Sequence, residues 1–186
     1  PAFIVAVFSA LVAYGVMNLL MTATPLAMVA CEHPFGDAAF VIQWHIVGMF
    51  APSFVTGALI KRFGLITIMV TGVALNAACV AIALAGAEVV HFWLAMLLLG
   101  VGWNFMFVGA TSLLTEAHTA AERAKVQGIN DAIIFTTLVL SSLSSGALFT
   151  FQGWQIMNLS ALPFLLLAGA GLIWLALRRR PTARAA

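Results

Sequence analysis

The chain has 186 residues, 63% of them hydrophobic and 8% charged, with a formal net charge of +2, and its mean hydropathy is +1.11. Soluble domains carry roughly a quarter charged residues, and a soluble chain of this size has too much surface to cover with so few. The composition excludes a water-soluble globular domain and points to an integral membrane protein whose main solvent is lipid.

An apolar run of about 20 residues crosses the hydrocarbon core as a helix. The charge-free runs are 1–31, 38–60, 63–87, 89–115 and 132–177. The last is too long for one crossing and divides at Phe151-Gln152-Gly153-Trp154, where a glycine and two aromatics mark a turn at the interface. Six spans are therefore predicted, near 5–30, 38–60, 64–86, 89–114, 128–150 and 155–177, in one all-α transmembrane domain over residues 1–186. The short alternating strands of a β-barrel are missing. The first run lacks the basic start and small-residue cleavage site of a signal peptide.

The first span carries Tyr14, Asn18 and Thr22 at i, i+4 and i+8, a polar stripe on an otherwise apolar helix. It reads either as a cavity wall that hydrogen-bonds a solute or as helix–helix glue. His45, beside Gln43 and Trp44 in the second span, is an intramembrane ionisable group. It either meets solute or a transported proton, or sits neutral between helices.

The same span runs into a basic turn, Gly57-Ala58-Leu59-Ile60-Lys61-Arg62-Phe63-Gly64. Gly57 is expected to let a neighbouring helix approach, and Gly64 to permit a tight reversal. The fourth span places Trp103 and Asn104 near its middle, an aromatic plane beside an amide. That pairing suits a flat organic solute, and Gly100 and Gly102 alternatively make room for a neighbouring helix. Asp131 falls in the first turn of the fifth span, where the helix dipole favours an acid. With Glu116 and Glu122 it is expected to meet Lys61 or Arg62 in a charge cluster that closes one face, or else to act as a coupling carboxylate. Ser141, Ser142, Ser144, Ser145 and Gly146 offer a small-residue packing surface. Phe92, Trp93, Trp154 and Trp174 are read as interfacial anchors.

All eight basic residues fall on one side of this topology, as Lys61 and Arg62, Arg123 and Lys125, and Arg178, Arg179, Arg180 and Arg184. The opposite loops hold Glu32, Asp37 and Glu88. By the positive-inside rule both termini are cytoplasmic, in a bacterial inner membrane. Cys31 and Cys79 are read as free thiols.

The basic turn resembles the signature loop of the major facilitator superfamily, G-x-L-x-D-R-x-G-R-[RK]. Gly57, Leu59, Arg62 and Gly64 match it, while Lys61 stands at the acidic position and Leu65 at the second basic one. Such departures are usual for the copy in the second half of these transporters. "GMFAPSFVTG" (48–57) is similar to span eight of the family, and "GVGWNFMFVGATSLLTEAHTAAERAKVQGINDAIIF" (100–135) to spans ten and eleven. The resemblance implies a C-terminal six-helix half with a 3+3 inverted repeat, working with a second half around a central cavity. The chain is thus expected to be a fragment lacking the N-terminal half, or to find a second chain as its partner.

No enzyme constellation is evident: there is no nucleophile elbow, HExxH, CxxC, metal-binding acid cluster or Walker loop in the sequence. No cofactor, metal or catalytic residue is assigned, and no basic-aromatic face suggests nucleic acid. The expected function is secondary active transport of a small solute by alternating access, ion- or proton-coupled, as uptake or efflux. The alternative is a non-transporting six-helix assembly or sensor subunit.

Overall fold

A computed structural model describes residues 2–119 and 121–179. The described residues form α1 (Ala2–Ala30), α2 (Phe35–Phe50), α3 (Ser53–Phe63), α4 (Leu65–Ala85), α5 (Val89–Thr115) and α6 (Arg123–Arg179), with no strand among them. The protein is an all-α membrane protein.

Two breaks shape the bundle. Pro52 has no N–H, so it cannot bond the carbonyl four residues back, and the second span divides into α2 and α3 at a 44° bend. The sequence had suggested an unbroken helix over 38–60. The 57 residues of α6 would measure about 85 Å if straight, far more than the roughly 30 Å hydrocarbon core. They are interrupted at Gly153, whose φ of 77° and ψ of 175° lie outside the helical region. The arms 123–152 and 154–179 thus take the place of two spans, and the predicted turn contracts to one residue that tolerates positive φ. A second positive-φ glycine, Gly64 (φ 90°), ends α3 and reverses the chain into α4.

The packing is reciprocal. α5 packs on α2 and α4, α1 packs on α6, and the two groups meet through α1 against α5 and α4 against α6. With α1–α4 and α5 plus the two arms of α6 taken as two sets of three spans, the first helix of each set (α1, α5) sits against later helices of the other (α6; α2 and α4), which is consistent with paired repeats. Small residues allow these contacts. A Cβ added at Gly100 would lie 2.5 Å from the His45 carbonyl oxygen, and one at Gly72 would lie 2.8 Å from the Gly102 carbonyl oxygen. Backbones of α5 therefore touch α2 on one side and α4 on the other. Gly57 behaves otherwise: an added Cβ would meet nothing within 4 Å, so no helix among the described residues packs on that side of it.

The aromatic anchors need correction. Phe92 is 2% exposed and packs against Trp154 at 5.3 Å between centroids. Trp154 in turn donates its indole N–H to the Ala83 carbonyl. Both tie helix ends together instead of facing headgroups. Trp174, with Arg178 stacked 4.4 Å over its ring, is exposed in the anchor manner. Cys31 is exposed and Cys79 buried, both as free thiols.

Candidate functional site

Four rings from three spans converge at mid-height. Trp103 and Phe107, one turn apart on α5, stack with planes 13° apart and centroids 5.2 Å apart. Tyr14 of α1 points its ring edge at both, at 5.1 Å from Trp103 and 4.8 Å from Phe107. Phe50, the last residue of α2, meets Trp103 edge-on at 6.2 Å. These are the favoured aromatic geometries. Trp103 is 4% exposed and Phe50 is 58% exposed, so Phe50 is the open edge of the cluster. The Trp103 indole N–H is buried with no hydrogen-bond partner among the described residues.

Asn104, the residue after Trp103, faces away from these rings toward the break in the second span. Its Nδ2 donates to the Met49 carbonyl at 2.7 Å and to the Ser53 hydroxyl at 2.6 Å. Its Oδ1 accepts from the Thr56 hydroxyl at 2.7 Å. Trp103 and Asn104 are therefore sequence neighbours with separate surroundings.

The predicted stripe on α1 also divides. Tyr14 joins the rings, whereas Asn18 turns to α6 and donates to the Leu138 carbonyl (3.1 Å) and the Ser141 hydroxyl (2.9 Å). Thr22 is half-buried. Ser145 of α6 adds a donated bond to the Leu19 carbonyl at 2.8 Å. His45 is fully buried, with Nδ1 2.8 Å from the Met96 carbonyl oxygen. A carbonyl only accepts, so the proton sits on Nδ1, and Nε2 keeps a lone pair that meets no partner among the described residues.

The charged groups of the basic side do not form one cluster in this conformation. Glu116 pairs with Arg179 at 3.3 Å, the single ion pair among the described residues. Glu122 accepts from the Thr119 hydroxyl (2.7 Å) and backbone N–H (3.1 Å), closing the turn before α6. These donors hold its carboxyl below the usual carboxylate range. Lys61 is exposed, as is Arg62, which lies 5.1 Å from the centre of the Phe63 ring. Asp131 is exposed on α6 and, because that helix starts at Arg123, lies beyond the first turn where the sequence had placed it. It makes no ion pair with Arg62.

A separate cavity of about 330 Å3 lies between α1 and the two arms of α6, bordered by Gly15, Thr137, Ser141, Ser144 and Phe164. Thr137 and Ser141 donate to carbonyls of their own helix, so the walls present mainly hydrocarbon. No group of three or more His, Cys, Asp or Glu able to hold a metal occurs among the described residues.

The fold, the reciprocal packing and the glycine-terminated basic turn fit one family, and its sequence profile, described as Major Facilitator Superfamily, matches residues 6–186. The chain belongs to the Major Facilitator Superfamily. It is similar to the riboflavin transporter RfnT of Brucella anthropi, 46% identical over 186 residues, covering 100% of this chain and 46% of that protein. It is also similar to two uncharacterized MFS-type transporters of Bacillus subtilis. YddS is 33% identical over 161 residues (86% of this chain, 37% of that protein), and YdeG is 38% identical over 135 residues (72% and 30%). The chain thus spans less than half the length of these curated relatives. The family and the relatives' names point to a transport protein, not an enzyme.

Within this facilitator-superfamily fold, sequence reading reached Tyr14 and Trp103 but missed Phe50, Phe107, Ser53 and Thr56. Two signals were available. Phe107 follows Trp103 by one turn, which places both on one helix face. Pro52 frees backbone carbonyls that some side chain must satisfy.

Proposed function

We propose that this chain is one six-helix half of a secondary transporter that carries a flat, ring-containing solute of the riboflavin class by alternating access. Its partner in that cycle is a second six-helix half, from the same polypeptide or another chain. The observation that carries the reading is the convergence of Tyr14, Phe50, Trp103 and Phe107 at the middle of three spans. Midplane sites between repeats are where such folds bind solute. A planar heterocycle stacks on an aromatic edge-and-face cluster at little entropic cost, because the rings are already fixed. The 46% identity to a protein named as a riboflavin transporter supports the same class.

In this reading the open ring, Phe50, receives the solute, and Trp103 and Phe107 back it. The buried Trp103 N–H has no partner among the described residues and is the donor that a ring carbonyl of the solute meets in this reading. Asn18 and His45 flank this region and are already engaged with α6 and α5. The basic side, with Lys61, Arg62, Glu116 and Asp131, faces the cytoplasm of a bacterial inner membrane by the charge rule. Those residues contribute to closing that side against the other half.

The test is uptake of radiolabelled riboflavin by riboflavin-requiring bacteria expressing the full-length protein. Accumulation above vector controls, lowered by Phe50→Ala with membrane abundance unchanged, supports the reading. No accumulation and no efflux from preloaded cells would remove riboflavin as substrate.

A further inference from the structure

Three prolines lie inside predicted spans, yet they behave differently. Pro25 sits within α1 and Pro163 within the 154–179 arm of α6, neither at a break, whereas at Pro52 the span bends by 44°. What distinguishes Pro52 is the amide opposite it. Asn104 is 1% exposed, and its side chain straddles the break. Its Nδ2 reaches Met49 on the α2 side and Ser53 on the α3 side, and its Oδ1 takes the Thr56 hydroxyl one turn further on. The Thr56 hydroxyl also lies 2.8 Å from the Pro52 carbonyl oxygen, so its single hydrogen is shared between two acceptors. Both Nδ2 hydrogens are therefore used, and the Met49 carbonyl beside the break receives a side-chain donor in a place where lipid offers none.

The clamp and the rings occupy consecutive residues on both helices: Met49 then Phe50, and Trp103 then Asn104. Whatever fixes Met49 therefore fixes where the Phe50 ring stands over Trp103. We infer that Asn104 is a latch: a positioning residue that holds the bend of the second span, sets Phe50 over Trp103, and on release lets α3 swing. Only the part concerning solute rests on the function proposed above. The bend itself does not.

If the 44° bend were fully lost, the far end of the 11-residue α3 would move on the order of 11 Å sideways, from a rise of about 1.5 Å per residue. Spin labels at Lys61 and Arg123, in the full-length protein carrying Cys31→Ser and Cys79→Ala, read this movement as a distance distribution in lipid nanodiscs. The expected result is a shift of several ångströms for Asn104→Leu, and a smaller shift in the same direction for Thr56→Val. Radiolabelled riboflavin binding should fall for Asn104→Leu about as far as for Phe50→Leu, and the double variant should be no worse than either. Folding is checked by gel filtration and circular dichroism. A folded Asn104→Leu protein with the wild-type distribution overturns the latch. Should that variant not fold, Thr56→Val and Ser53→Ala carry the test, and wild-type distributions in both overturn it equally. If the wild-type protein binds no riboflavin, the functional reading falls, and the distance measurement still decides the latch.

Discussion

Phe50 and Trp103 stand edge to face with centroids 6.2 Å apart, although one ends α2 and the other lies mid-way along α5. The contact exists because glycines let those helices touch: Gly48 and Gly100 each face the other helix's backbone. The ring cluster thus depends on residues that have no side chains.

That dependence is testable. Gly100→Val places carbon where the His45 carbonyl and Met49 amide now sit, and overpacking of this kind costs about 1–3 kcal/mol. Thermal unfolding in detergent should show the loss. Gly57→Ala, with nothing within 4 Å in this chain, serves as the matched control and should leave the chain's own stability unchanged or slightly higher. Equal destabilisation by both would refute the packing assignment.

The aromatic site predicts a graded response. Phe50→Leu removes one ring from an exposed position, and an aromatic pair is worth about 0.5–1.5 kcal/mol. Riboflavin affinity should therefore weaken roughly 2- to 13-fold. Tyr14→Phe retains the ring edges and should bind nearly as well as wild type. Equilibrium dialysis distinguishes the two, and an equal loss for both would shift the emphasis from stacking to the Tyr14 hydroxyl.

His45 is held in one tautomer by the Met96 carbonyl. Nitrogen-15 NMR of labelled histidine should show a neutral ring protonated at Nδ1. His45→Leu leaves no donor to that carbonyl, and the lost bond should lower stability by about 1 kcal/mol. A ring protonated only at Nε2 would contradict the geometry.

Glu122 gives the pH dependence. Its carboxyl is depressed chiefly by the Thr119 hydroxyl, then by the Thr119 N–H. A depressed carboxyl contributes stability that is present above its ordinary value of about 4.3 and is lost as pH falls through the lower folded value. At pH 7 Glu122→Gln should speed amide hydrogen exchange at the start of α6. At pH 3, after correction for intrinsic rates, the difference between variant and wild type should narrow.

Much of the architecture was legible because bilayer crossings require long uncharged runs, and charges at 61–62, 88 and 116–131 punctuate them plainly. The bend at Pro52 was less so. Proline is tolerated in membrane helices, and the side chain that bonds across Pro52 is Asn104, 52 positions away in sequence. The stripe of Tyr14 and Asn18 was seen, but α1 packs on both α5 and α6, so Tyr14 meets the α5 rings while Asn18 bonds to α6. Phe92 resembled an anchor because it lies near a helix end, and only the fold reveals that Trp154 covers it.

The most direct test of the central claim is equilibrium binding of radiolabelled riboflavin to the purified full-length protein, compared with Trp103→Phe and Phe50→Ala. The account predicts saturable binding that Trp103→Phe weakens modestly and Phe50→Ala weakens further, in proteins that remain folded. Saturable binding unaffected by either substitution would place the solute elsewhere, and no binding at all would contradict the assignment of a riboflavin-class substrate.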